Sequence, residues 1–132
     1  MERADAAFAE HVAKVRAELD VRLERSVADA GARAESLGPA AHDIVRAAGA
    51  LALRGGKRIR SALVRVAYEG CGGEGAGSPT LMAEVAFEWL QTYLLIHDDW
   101  MDADEVRRGG PSVHVMLRDR FGALADAGGI LA

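Results

Sequence analysis

Over residues 4–34 the apolar positions Phe8, Val12, Val15, Leu19, Leu23 and Val27 recur three or four apart, with charged residues between them. That period predicts one long amphipathic helix. Gly38-Pro39 punctuates the chain. The spacing then predicts a second helix over 39–53, with proline in its first turn and Gly55-Gly56 beyond its end. A third helix is expected over 58–69. Residues 70–77 hold five glycines in eight positions and read as a loop. Ser78-Pro79-Thr80 supplies the next helix start. The helix that follows, to about Met101, is apolar on almost every side after Val85, a pattern expected in the middle of a bundle. Gly109-Gly110-Pro111 breaks the chain again, residues 112–120 suit a short further helix, and the last eleven residues are weakly patterned.

Composition narrows this to an all-α domain. The chain has 132 residues, 50% hydrophobic, 27% charged and only 5% aromatic, enough to bury one core over 1–132 and too poor in aromatic and β-branched runs for a sandwich or barrel. The longest nearly uncharged stretch, residues 85–96, still contains Glu88, Gln91 and Thr92 and is too short to cross a bilayer. Residues 1–20 mix charges throughout, unlike a signal peptide, so a cytoplasmic protein is expected. The single Cys71 excludes an internal disulfide and a multi-thiolate metal site. A net charge of −4 gives no reason to expect nucleic acid as a partner.

Charge is segregated, however. Residues 54–65 carry five basic groups and no acidic one, while 98–105 carry five acidic groups and no basic one. Asp98, Asp99 and Asp102 form D-D-x-x-D at the C-terminal end of the apolar helix. Asp98 and Asp102, four apart, share a helix face, at the end of the helix where carboxylates are disfavoured by about 0.3–1 kcal/mol each. A cation should compensate, and few protein oxygens suit Mg²⁺, which keeps waters and bridges to phosphates. The bland alternative is a solvated loop whose acids pair with Arg107 and Arg108.

Gly55-Gly56-Lys57-Arg58-Ile59-Arg60 sets two glycines before a helix N-terminus, where backbone N–H groups can meet an anion. Lys57 and Arg60, three apart, can face one ligand. The spacing is not that of a Walker A loop, and exposed basic residues after a helix cap would look the same. Arg107-Arg108-Gly109-Gly110 supplies a second cation pair. Gln91 stands in the apolar run seven residues before Asp98, on the same face, where a buried structural amide is the simpler reading. Oxygen ligands suit Mg²⁺ better than His42, His97 or His114, which are read as structural.

Taken together, Gly55-Gly56-Lys57-Arg58-Ile59-Arg60, Leu95-Ile96-His97-Asp98-Asp99-Trp100-Met101-Asp102 and Arg107-Arg108-Gly109-Gly110-Pro111-Ser112-Val113-His114 resemble the all-trans polyprenyl synthetases, the short-chain isoprenyl diphosphate synthases of farnesyl and geranylgeranyl type. The match covers the N-terminal half of such an enzyme. It implies an all-α bundle of the isoprenoid synthase type, here incomplete, and Mg²⁺-dependent condensation of an allylic diphosphate with isopentenyl diphosphate. By the same resemblance Asp98 and Asp102 would ligate Mg²⁺ with Asp99 supporting them, making these three the catalytic carboxylates. Arg107 would hold the allylic diphosphate, and Lys57, Arg60, Gln91 and Arg108 would hold isopentenyl diphosphate. Tyr93 and its smaller neighbour Leu94 stand where the family limits chain growth, which resembles enzymes making C15–C20 products; ordinary core packing is the alternative for Tyr93.

The departures shape the expectation. No second aspartate-rich motif follows Gly110, Ser61 stands where proline is common, and Trp100 is unusual inside the motif. The chain alone is therefore expected to be catalytically incomplete, in a homodimer or with a partner chain supplying the C-terminal half. The alternative is a non-catalytic diphosphate-binding or regulatory subunit of a full-length synthase.

Overall fold

The computed structural model describes residues 2–74 and 79–122, with side chains from residue 6 onward. Among these described residues five helices follow in order: α1 Glu2–Glu35, α2 Pro39–Leu53, α3 Ile59–Gly70, α4 Leu81–Met101 and α5 Val113–Phe121. Between α4 and α5 lies a short antiparallel hairpin, β1 Val106–Arg107 and β2 Gly110–Pro111, pairing Val106 with Pro111 and Arg107 with Gly110. Strands of two residues have no readable period, so the sequence showed only a break there. The weakly patterned tail beyond Gly122 and part of the glycine loop, 75–78, lie outside the described residues.

The helix ends follow local chemistry. Proline opens α2, where its missing N–H costs nothing. At the end of α3, Gly72 takes φ +90°, and the N–H groups of Gly73 and Gly72 close on the carbonyls of Tyr68 and Glu69, a Schellman stop. At the end of α4 the same stop recurs with a residue that resists it. Ala103 takes φ +56°, Asp104 N–H donates to Asp99 O at 2.9 Å and Ala103 N–H to Trp100 O at 3.4 Å. The left-handed alanine costs of order 1 kcal/mol, which the surrounding contacts must offset.

Two apolar clusters hold the bundle. Leu19 and Leu23 of α1 meet Ala52 of α2 and Val85 of α4, while Ala47, Ala48 and Leu51 of α2 meet Ile96 of α4 and Val113 and Leu117 of α5. Trp89 packs against both and donates its indole N–H to Ser26 Oγ at 2.9 Å. α1 and α2 approach so closely that a Cβ on Gly49 would stand 2.6 Å from Val27 Cγ1. Gly49→Ala is therefore expected to destabilise the fold by about 1–3 kcal/mol, as overpacking does, read as a lower urea midpoint at unchanged slope.

α4 departs from its expected burial. Its inward positions include Glu84, Glu88, Thr92 and Asp99, whereas Phe87, Leu90, Leu94 and Met101 face outward. The reason is a ladder of charge pairs with α3. Arg65 grips Glu84 through Nε at 2.7 Å and Nη2 at 2.8 Å and also reaches Glu18 of α1 at 2.8 Å. The hydrogen bonds to Glu84 hold Arg65 above the usual guanidinium range, against the effect of burial. Ser61, one turn back, donates to Glu88 Oε1 at 2.8 Å. A proline at position 61 would lack that hydroxyl, so the departure noted in the sequence has a local use.

Candidate functional site

The residues of interest gather where the 54–58 loop, the C-terminal half of α4 and the hairpin meet. Three described non-glycine residues have left-handed backbones, Arg58 (φ +52°), Ala103 (φ +56°) and Arg108 (φ +51°), and all three border this region. Conformations that cost free energy persist only where surrounding contacts enforce them. For Arg58 the enforcement is visible. Its side chain is buried and donates to Asp20 Oδ1 at 3.0 Å, Glu88 Oε2 at 2.6 Å and Ala52 O at 3.2 Å. This arginine, at the N-cap of α3, is thus fully spent on structure.

With Arg58 anchored inward, its neighbours turn to a cavity beside it. Lys57, Arg60, Gln91 and Arg108 line one cavity of about 180 Å³, with Gly56, Arg58, Ile59 and Glu88 completing its wall. These are the four residues the resemblance assigned together. They come from the loop, α3, α4 and the hairpin, up to 51 positions apart in the chain. Arg108 lies against Gly56, where a Cβ would sit 3.3 Å from its Nη2. Its Nη1 is buried without a hydrogen-bond partner. Burial, then the charges of Arg58, Arg107 and Arg60, lower its pKa below the usual guanidinium value, with Glu88 opposing. Arginine nevertheless keeps its proton in proteins. An under-satisfied cation among other cations is an arrangement that an anion with several oxygens could neutralise.

The hairpin sends its two arginines to opposite sides. Arg107 Nε donates to Asp99 Oδ1 at 2.6 Å, and its Nη2 reaches that oxygen as well and Asp104 Oδ2 at 3.1 Å. The hydrogen bond to Asp99 raises Arg107 above the usual guanidinium value, opposed by burial and assisted by the charges of Asp99, Asp104 and Asp98. Asp99 is wholly buried and its Oδ2 has no partner. Asp98 and Asp102 are four apart at the end of α4, and no ion pair or hydrogen bond of their carboxylates occurs among the described residues.

The donor set suits a hard divalent cation. The carboxylates of Asp98 and Asp102, unpaired among the described residues, stand at a helix end that already favours positive charge. No group of three or more His, Cys, Asp or Glu able to enclose a metal occurs among the described residues. An ion held by Asp98 and Asp102 alone would take its other ligands from water or another molecule, an arrangement Mg²⁺ tolerates.

Of the other positions singled out in the sequence, Tyr93, Leu94 and His97 stand on α4 and His114 on α5, while His42 lies on α2 with Nε2 3.8 Å from Glu35 Oε1. Tyr93 and Leu94 are on the exposed face of α4, and the Tyr93 ring stacks at 4.1 Å on His97, whose Nδ1 lies 2.9 Å from Tyr93 O. His114 is buried at the start of α5, with an unpartnered Nδ1. Sequence reasoning missed Arg58 and Glu88 as parts of the site. Their signal was present as register: Glu84 and Glu88 are four apart on α4, and Arg58, Ser61 and Arg65 fall on one face at the start of α3.

Residues 42–128 match the family model of the polyprenyl synthetases. The chain belongs to that family. It is 42% identical over 82 residues to a short chain isoprenyl diphosphate synthase of Methanothermobacter thermautotrophicus, covering 62% of this chain and 25% of the relative. It is 45% identical over 78 residues to a geranylgeranyl diphosphate synthase of Methanosarcina mazei, 59% of this chain and 21% of that one. It is 41% identical over 71 residues to a geranylfarnesyl diphosphate synthase of Aeropyrum pernix, 54% of this chain and 22% of that one. The chain thus spans a quarter or less of the length of these curated relatives. No solved structure matches it. No helix of the described residues is long and apolar enough to cross a membrane.

Proposed function

We propose that this chain builds the portion of a trans-isoprenyl diphosphate synthase site that holds isopentenyl diphosphate and anchors the diphosphate of an allylic co-substrate. The observation that carries the reading is the convergence of Lys57, Arg60, Gln91 and Arg108 on one cavity, with a buried guanidinium nitrogen left open. Lys57 contributes a point charge, Arg60 and Arg108 contribute forks, and the Gln91 amide contributes a neutral donor. Asp98 and Asp102 would hold Mg²⁺, which supplies charge neutralisation at the leaving diphosphate when bound. Asp99 keeps Arg107 beside those two carboxylates, where its guanidinium meets an allylic diphosphate. The exposed apolar positions Leu90 and Leu94 of α4 provide a dry wall for an isoprenoid chain, with Tyr93 beside them as a limit to its length, consistent with C15–C20 products.

In this reading the remaining metal ligands and the other wall of the cavity are supplied from outside these 132 residues, by further sequence of the same protein or by a partner chain, while a second copy of this chain would pair with it as a homodimer. A soluble, cytoplasmic setting suits diphosphate substrates of this kind. A second reading, a non-catalytic diphosphate-binding subunit of a full-length synthase, is favoured by the lack of a three-ligand cluster among the described residues.

A condensation assay with Mg²⁺, isopentenyl diphosphate and geranyl diphosphate separates the two. The catalytic reading expects no turnover by the chain alone, and turnover on adding a chain that carries a second aspartate-rich motif but is itself inactive. Continued inactivity in that mixture, with diphosphate bound, assigns the subunit role. Turnover by the 132 residues alone overturns the division of the site.

A further inference from the structure

Arg54 ends α2 immediately before the glycine loop, yet its side chain belongs to the hairpin. Its Nη1 donates to Pro111 O at 2.5 Å and to Arg107 O at 3.3 Å, and its Nη2 lies 3.2 Å from Met116 Sδ of α5. One guanidinium thus ties both strands of the hairpin, and the helix after it, to the residue that leads into Gly55 and Gly56. The hairpin in turn carries Arg107 toward Asp99 and Arg108 toward Lys57 and Arg60. Gly110 completes the arrangement, because a Cβ there would stand 2.8 Å from Arg54 Cζ. The guanidinium lies against a position that only glycine leaves open.

Arg54 does not line the cavity formed by Lys57, Arg60, Gln91 and Arg108. Its Nη1 is satisfied by carbonyls and its Nη2 faces a thioether, so the outer edge of its guanidinium is spent on the hairpin and α5. We propose that Arg54 is a positioning residue: it straps the hairpin to the glycine loop, so that Arg108 faces Lys57 and Arg60 across one diphosphate. The inference rests on the diphosphate reading of that cavity. It adds a residue that touches no substrate and that stands outside the motifs, although it belongs to the basic stretch 54–65.

The test is a double-mutant cycle on the full 132-residue chain, with inorganic pyrophosphate as the probe and calorimetry as the readout. Arg54→Leu is expected to weaken pyrophosphate binding about 10-fold, the scale of losing hydrogen bonds from a charged group. In an Arg108→Ala background the same substitution should have no further effect. Gly110→Ala, which displaces the guanidinium from the other side, should reproduce the loss without altering Arg54. Arg54→Lys keeps the charge but not the planar fork, and should remain within about 3-fold of Arg54→Leu. Amide exchange should rise over residues 106–111 and stay unchanged in α1 and α4, which a general loss of stability would not produce.

Three results overturn the proposal while leaving the cavity assignment intact: undiminished binding by Arg54→Leu, additive losses with Arg108→Ala, or full recovery by lysine. A wild-type chain that does not bind pyrophosphate overturns the diphosphate reading itself, and the inference with it.

Discussion

Arg65→Met is expected to cost the fold about 3–5 kcal/mol, because it leaves a buried carboxylate without the cation that made its burial tolerable. Glu84 is wholly buried, and Arg65, itself nearly so, engages both of its oxygens. Thr80 Oγ1 at 2.6 Å can serve one oxygen but brings no charge. The pair is a poor source of net stability, since two ions must be stripped of water to form it. Removing one member and removing both should therefore differ sharply. Arg65→Met with Glu84→Leu is expected to recover most of the loss, with Glu18 turning back to solvent. Urea unfolding of the two variants decides the matter. A loss below about 1 kcal/mol for Arg65→Met, or no recovery in the double variant, would mean that the ladder between α3 and α4 does not set their register.

Arg108→Met carries the second large effect, in the opposite direction for stability and for binding. The Arg108 guanidinium has a buried, unpartnered nitrogen and stands among Arg58, Arg60 and Arg107. A flexible apolar side chain removes a desolvated donor, worth about 1–3 kcal/mol, so the unliganded variant should melt above the wild type. The wild type should gain stability as pyrophosphate is added, by about 2.7 kcal/mol at roughly a hundred times its dissociation constant. The variant should show almost none of this gain at the same concentrations. Thermal unfolding with and without pyrophosphate reads both effects. A variant less stable than the wild type and equally responsive to pyrophosphate would place the anion elsewhere.

The two effects share a cause. A site that binds anions tightly must hold cations close together before the anion arrives, and the empty fold bears that repulsion. The left-handed backbones of Arg58 and Arg108 add to the burden. The offset comes from contacts outside the cavity, chiefly Arg58 with Glu88 and Asp20. These stabilising contacts lie one layer behind the cavity.

This layering also explains what could be read from sequence. The span 39–53 of α2 followed from Pro39 and Gly55-Gly56, and the end of α4 near Met101 from the loss of apolar period, because those signals are local. The burial of α4 was misjudged for a physical reason. Hydropathy counts Glu84 and Glu88 as solvent-seeking, while their partners Arg65 and Arg58 stand 19 and 30 residues away in the chain. Lys57, Arg60, Gln91 and Arg108 were reachable through the resemblance, since each sits in or near a recognisable motif. Arg58, although inside one of those motifs, and Arg54 and Glu88 outside them were not, because their roles are defined by carbonyls and charges that only the fold brings near. The hairpin was invisible for a similar reason, its pairing being two residues long.

The central claim is that Lys57, Arg60, Gln91 and Arg108 form one diphosphate site, and its most direct test is to see where isopentenyl diphosphate lands. Backbone amide and arginine Nε resonances of the isotopically labelled chain should be followed as isopentenyl diphosphate is added. A single diphosphate site predicts saturable shifts concentrated at Gly56, Lys57, Arg60, Gln91 and Arg108, with the side-chain signal of Arg108 moving farthest. It predicts little change at Arg65, whose guanidinium is spent on Glu84 and Glu18. Shifts spread over the exposed basic residues of α1 without saturation, or none at Arg108, would contradict it.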